Sequence, residues 1–237
     1  MMKQEIIQID LGGVNSYLLK SDKGFILVDT GGPMLMDKVF SSRCDLLENA
    51  LEKAGCNAQN LNLIILTHGD IDHAYNAAYI KNKYNANVAI HKDDAYLVEK
   101  PSINDFMDSQ KYRSFIFKIV AKIMHKTFYK IAVKTIAEFK TFYPDILIDE
   151  KFKLTEYGFD GETIHIPGHT KGSIGILTNE NDLIAGDIFV NNKKPELALN
   201  ALNFNELDES ITKIKPLNIK NVYIGHGQPF IFSNFKF

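Results

Sequence analysis

Leu63-Ile64-Ile65-Leu66-Thr67-His68-Gly69-Asp70-Ile71-Asp72-His73 is the stretch on which the fold turns. Four apolar residues in a row, two of them β-branched, read as a short buried strand. The strand runs straight into four ligand-type side chains within six residues. Ala74–Lys83 then reads as a helix and Asn87–His91 as another strand. Strand, loop, helix and strand in that order suggest an α/β layering. In such layers the strand ends present the site residues. Imidazole and carboxylate are ordinary ligands for zinc, iron and manganese. The plain alternative is a solvated turn in which Asp70 or Asp72 caps the following helix.

Working outward, Ile6–Leu11, Ser16–Leu19 and Phe25–Asp29 read as strands punctuated by Gly12-Gly13 and Asp22-Lys23-Gly24. Met34–Ala54 reads as a helix ended by Gly55. Downstream, Thr163–Pro167, Ser173–Leu177, Asp182–Ala185 and Asn221–Ile224 are expected strands, and Asn205–Ile214 an expected helix. The middle differs: Pro101–Pro144 offers no strand. Residues 111–140 hold eight basic side chains and one acidic one, Glu138. Lys118, Lys122, Lys126, Lys130 and Lys134 recur every four residues among apolar ones, as one or two amphipathic helices would place them. We expect a single domain over 1–237 with a basic helical insert at 100–145.

Composition narrows the classes. A net charge of −2 excludes a globally basic nucleic-acid binder, and 16 Phe with 10 Tyr exclude low-complexity disorder. No apolar run approaches the roughly 18 residues of a bilayer span. Met1–Asp10 shows no secretion signal. Two cysteines, Cys44 and Cys56, make no disulfide scaffold and suit a reducing cytoplasm.

Three further fragments resemble the ligand stretch in kind. Pro167-Gly168-His169-Thr170 sets a histidine in a turn between strands. Ala185-Gly186-Asp187 and Ile224-Gly225-His226-Gly227 place a carboxylate and a histidine just past two more. Together with His68-x-Asp70-x-Asp72-His73, with Asn15-Ser16-Tyr17-Leu18-Leu19 and with Val28-Asp29-Thr30-Gly31, these motifs resemble the metallo-β-lactamase superfamily, in its order, from Val14 to His226.

The resemblance implies a four-layer αββα sandwich with a metal site at one edge. It implies that His68, Asp70 and His169 hold a first metal, that Asp72, His73 and His226 hold a second, and that Asp187 bridges them. Two divalent ions are expected per chain, zinc first, with iron or manganese as alternatives. A hydroxide between the metals would be the nucleophile, and Asp72 the catalytic carboxylate that orients it or returns a proton. Asp29 would steady a ligand histidine. Asp70 departs from the pattern, which usually has histidine there. Three carboxylates against two divalent ions leave +1 where a histidine would leave +2, a harder pocket that tolerates iron or manganese better.

A metal-dependent hydrolase of a small thioester, lactone or phosphodiester follows as the expected activity. The alternatives are a di-iron redox protein related to flavodiiron proteins, or a metal-binding interaction protein. Glyoxalase II-type thioesterases carry a C-terminal helical domain for glutathione, whereas this chain ends 11 residues after His226, so that substrate is not expected. Lys171 and Asn191 are candidates for the substrate cleft, with Asn192, Lys193 and Lys194 beside them. His91 and His165 read as packed or surface residues. The expected partner is a small-molecule substrate, without nucleic acid. The insert reads as a flap or homodimer surface beside the cleft, with contact to an acidic membrane surface the remaining alternative.

Overall fold

The computed structural model describes residues 4–34, 37, 39–149 and 151–236. The first half builds a six-stranded sheet from β1 (Glu5–Asp10), β2 (Asn15–Ser21), β3 (Gly24–Val28), β4 (Leu61–Ile65), β5 (Asn87–His91) and β6 (Ile146–Ile148), in that order across the sheet. β1, β2 and β3 are antiparallel neighbours; β3 through β6 run parallel. Parallel strands need crossovers, and helices supply them. They are α1 (Cys44–Lys53), then α2 (Ile71–Ala74) and α3 (Ala77–Tyr84), then α4 (Ala95–Glu99), α5 (Ile103–Asp108) and α6 (Phe115–Glu138).

The second half builds a five-stranded sheet in the order β14 (Phe230–Ile231), β12 (Asn221–Tyr223), β9 (Leu183–Ile184), β8 (Ile174–Thr178), β7 (Gly161–His165). A small third sheet joins β11 (Pro195–Leu197), β10 (Phe189–Asn191) and β13 (His226–Gly227). α7 (Phe204–Ile214) covers the outside.

The strand period of two sorts side chains between layers. Tyr17, Leu19, Ile26, Val28, Leu63 and Ile65 face the second sheet and meet Ile174, Ile176 and Ile184 in the central core. Their neighbours Leu18, Leu27 and Ile64 point the other way, to Leu47 and Leu51 of α1 and Ile80 of α3. Strands buried on both faces read as unbroken apolar runs, which is why the stretch at 63–66 was legible. On the far side Leu207, Ile211 and Ile214 form the inner stripe of α7. This is the αββα sandwich.

Two expected helices are corrected. Met34–Ala54 is helical only from Cys44; Leu35, Met36 and Lys38 lie outside the described residues. Arg43 ends the preceding loop in a left-handed conformation (φ 60°). Its buried guanidinium donates to the Leu11 and Gly32 carbonyls and pairs with Asp37 at 2.6 Å, which pins the loop to the sheet. Ala74–Lys83 divides at Tyr75–Asn76. There the Asn76 side chain donates to the carbonyls of Thr30 and Ser42 and ties the break to that same loop. Between 101 and 144 the structure has helices and no strand among the described residues. No helix of the described residues is long and apolar enough to cross a membrane.

Candidate metal centre

Seven ligand-type side chains converge where strands of both sheets end. His68, Asp70, Asp72 and His73 follow β4; His169 sits in the β7–β8 turn; Asp187 follows β9; His226 opens β13 after β12. Asp70 holds the position that caps α2, yet its carboxylate makes no capping hydrogen bond. Its Oδ2 lies instead 3.2 Å from His169 Nε2 and 3.9 Å from His68 Nε2. Asp72 Oδ2 lies 3.3 Å from His226 Nε2 and 4.0 Å from His73 Nε2. Asp187 stands between these groups, with Oδ2 3.1 Å from His226 Nε2 and 3.7 Å from His169 Nε2, and Oδ1 3.3 Å from His73 Nε2.

Each imidazole is fixed through its other nitrogen. His73 Nδ1 meets Asp29 Oδ2 at 3.0 Å, His169 Nδ1 the Asn200 carbonyl at 3.1 Å, and His226 Nδ1 the Gly13 carbonyl at 2.8 Å. Those acceptors require Nδ1 to donate. His68 Nδ1 meets Thr67 Oγ1 at 3.0 Å, and that hydroxyl already donates to Asp29, so His68 donates too. All four rings therefore turn Nε2 inward, the arrangement that orients metal-ligating histidines. Asp29 is left-handed (φ 58°) and buried, a strained conformation held by its bonds to Thr67 and His73.

The residues fit divalent ions. Donors around one tetrahedral ion with bonds near 2.1 Å stand about 3.4 Å apart. In each of three groups, His68–Asp70–His169, His68–His73–Asp187 and Asp72–His73–His226, the donor atoms lie within 4.8 Å of one another. His68 Nε2 and Asp187 Oδ1 are buried without a hydrogen-bond partner, as atoms reserved for a cation are. Full burial, and then the neighbouring His73, lower the His68 pKa to about 4, so its ring stays neutral. Burial opposes protonation of His169, but Asp70 and Asp187 outweigh it and raise the pKa to about 9. His73 and His226 are likewise raised despite burial, by Asp187 above all.

Asp94 had no motif to announce it. It is wholly buried, and accepts hydrogen bonds from Gly69 N at 2.9 Å, Thr170 Oγ1 at 2.6 Å and Gly172 N at 2.7 Å. One carboxylate thus ties the β4 ligand loop to the His169 turn. Burial raises its pKa from 3.8 to about 6 against those bonds. A raised carboxylate pKa favours the protonated folded state, so stability present below pH 3.8 is lost as pH rises through 6. We expect Asp94→Asn to erase that step in thermal unfolding of the metal-free protein. We also expect metal affinity to fall by roughly 10–100-fold, since an amide NH2 would face a backbone N–H. Calorimetry across pH and metal titration check both; an unaltered pH step would reject the assignment.

A cavity of about 460 Å³ opens on the cluster. Its base holds Asp70, Asp72, His169, Asp187 and His226; α5 and the turn after it form a wall through Phe106, Ser109 and Tyr112. Lys171 is exposed and Asn191 donates its side chain to the Gln228 carbonyl; neither lines the cavity, whereas Asn192 does. His91 and His165 stack at 4.1 Å away from it, and both nitrogens of His91 are engaged, by the Asp149 carbonyl and the Asp93 N–H.

The metallo-beta-lactamase superfamily model matches residues 9–226, and the chain belongs to that superfamily. Over 232 residues it is 25% identical to hydroxyacylglutathione hydrolase GloC of Haemophilus influenzae, covering 95% of this chain and 91% of that one. Its fold is similar to that of the BLEG-1 B3 metallo-beta-lactamase, with TM-score 0.69, 21% identity, and coverage of 97% of this chain and 95% of that one. A metallo-beta-lactamase family protein from Thermus thermophilus superposes with TM-score 0.66 and 20% identity over 96% of this chain and 74% of the other. The match to nearly the whole of GloC removes the argument from length: a superfamily member named for a glutathione thioester does not exceed this chain by an extra domain.

Proposed function

We propose that the protein is a metal-dependent hydrolase of a carbonyl ester or thioester with an uncharged, apolar acyl group. One observation carries this: the ligand cluster lies at the base of a cavity walled by Met34, Ile71, Leu97, Phe106, Val190 and Leu199. Among the described residues, no Lys or Arg lines it. A phosphodiester or the charged half of a glutathione conjugate would find no cation there beyond the metals, whereas an acyl chain finds a matching wall. The thioester chemistry in the relative's name agrees with a carbonyl substrate.

His68, Asp70 and His169 would hold one divalent ion, Asp72, His73 and His226 a second, and Asp187 would reach both. Zinc is the first choice; the oxygen donors also suit iron or manganese. Bound there, such ions supply Lewis acidity and an activated water at neutral pH. The protein's own part is orientation. Asn200, Gly13, Asp29 and Thr67 fix the four rings, while Asp72, ionised, stands where a proton can be taken from the water and passed to the leaving group. Both cysteines are free, which agrees with a reducing cytoplasm.

Metal-depleted protein reconstituted with zinc, iron or manganese should hydrolyse acyl thioesters or lactones, faster with apolar than with charged acyl groups. Chelation should abolish turnover and added metal restore it. Preference for a phosphodiester, or no metal-dependent turnover of any carbonyl substrate, would overturn the reading.

A further inference from the structure

The fully buried residues of α6, Phe128, Ala132 and Thr135, all lie in its C-terminal half, while Phe117 in its first turn meets the Tyr112 ring. Every residue from Phe115 to Val120 is exposed, and Phe115, Ile116 and Ile123 keep 76%, 71% and 75% of their surface. At 3.6 residues per turn, Phe115, Ile119, Ile123, Ile116 and Val120 share an outward arc about 140° wide. The buried residues lie on the opposite side. Lys118 and Lys122 lie beside one edge of this arc, and Lys126, Lys130 and Lys134 fall within it farther along the helix. Lys118, Lys122, Lys126 and Lys130 make no ion pair with any described residue. Glu138, at the last turn, is the helix's only acid.

We propose that this face of α6 docks on an anionic lipid bilayer. The surface is a convex ridge, apolar along its crest and cationic along its flank. That is the composition of a helix that lies in a membrane interface, its crest among the acyl chains and its lysines reaching headgroup phosphates. Charge selects this occupant over a second copy. Two such ridges would set lysine rows against each other with only Glu138 to offset them. Charge also sets the orientation. Residues 111–140 carry +7, so the remainder carries −9 of the net −2, and an anionic surface attracts α6 while repelling the rest. Tyr112, two residues before the Ser114 cap of α6, lines the metal cavity. The docking itself does not depend on the hydrolase reading.

The test is flotation of the full chain with vesicles of phosphatidylcholine alone, and of equal parts phosphatidylcholine and phosphatidylglycerol. We expect binding to the anionic vesicles to exceed that to neutral ones by about 100-fold and to weaken with salt, each lysine contributing about fivefold. Lys118→Glu/Lys122→Glu/Lys126→Glu should lower it at least about 100-fold. Lys118→Gln/Lys122→Gln/Lys126→Gln should lower it less, and Ile116→Ser/Ile123→Ser should remove the part that survives salt. These side chains face solvent, so thermal midpoints should stay at the wild-type value. The wild-type comparison decides without any variant: equal or absent partition on the two vesicles overturns the proposal. So does a dimer by light scattering that Ile116→Ser/Ile123→Ser dissociates while vesicles capture nothing.

Discussion

Asp187→Ala should cost the protein metal and turnover together. The Asp187 carboxylate approaches the Nε2 atoms of His73, His169 and His226 within 3.7 Å and that of His68 at 4.0 Å. Among the described residues, no other carboxylate reaches both halves of the cluster so closely. Losing a residue that merely steadies a ligand costs roughly 10–100-fold in metal affinity or activity, and a shared ligand should cost more than the upper figure. A second signature separates this from general damage. Asp187 is the largest attraction raising the His73 and His226 pKa values. In metal-free Asp187→Ala both rings should give up their protons at lower pH than in wild type. Metal analysis, kinetics and imidazole titration by NMR read the three effects. Full occupancy with turnover within tenfold of wild type would remove Asp187 from the centre.

The ligand set was legible because each member follows a short apolar strand and most sit beside a glycine, where chain direction and conformation are forced. Gly225 shows the force: a Cβ there would meet Asp187 Oδ1 and come within 2.6 Å of His73 Cε1. Asp94 was not legible. Its partners Gly69, Thr170 and Gly172 are 25 to 78 residues away in sequence, and nothing local marks a carboxylate that will be wholly buried. The cleft wall was legible only in part: Asn192 was among the residues named for it, but their faces were not sorted. Along β10 and just beyond, Val190 and Asn192 face the cavity while Asn191 turns to Gln228. That alternation is fixed by register, and a one-residue error inverts every assignment. The early start given to α1 failed because Arg43 gains more from the Leu11 and Gly32 carbonyls and Asp37 than a helical turn would offer. β10, β11, β13 and β14 span only two or three residues each, too few to show a period.

Asp72→Asn should separate chemistry from metal binding. Asp72 stands at the cavity, its Oδ2 3.3 Å from His226 Nε2. Burial works to raise its pKa, but His73 and His226 outweigh this and hold it at about 2, below the usual 3.8. A lowered carboxylate pKa keeps the charge at every pH above that value and loses it only on stronger acidification. In the metal-free protein Asp72 therefore stays ionised, a carboxylate able to accept a proton. Asparagine is close in shape and keeps one carbonyl oxygen for a cation, while the other ligands stay. Metal content should fall by less than half. An amide cannot accept the proton, so kcat should drop by roughly 10²–10⁴-fold, the scale of general acid–base catalysis. No pH should recover it, because the lost group is chemical and not a matter of protonation. If the variant binds metal more weakly but keeps near-normal kcat once excess metal restores full occupancy, Asp72 serves only as a ligand, and the proton must move through another group at the cavity base.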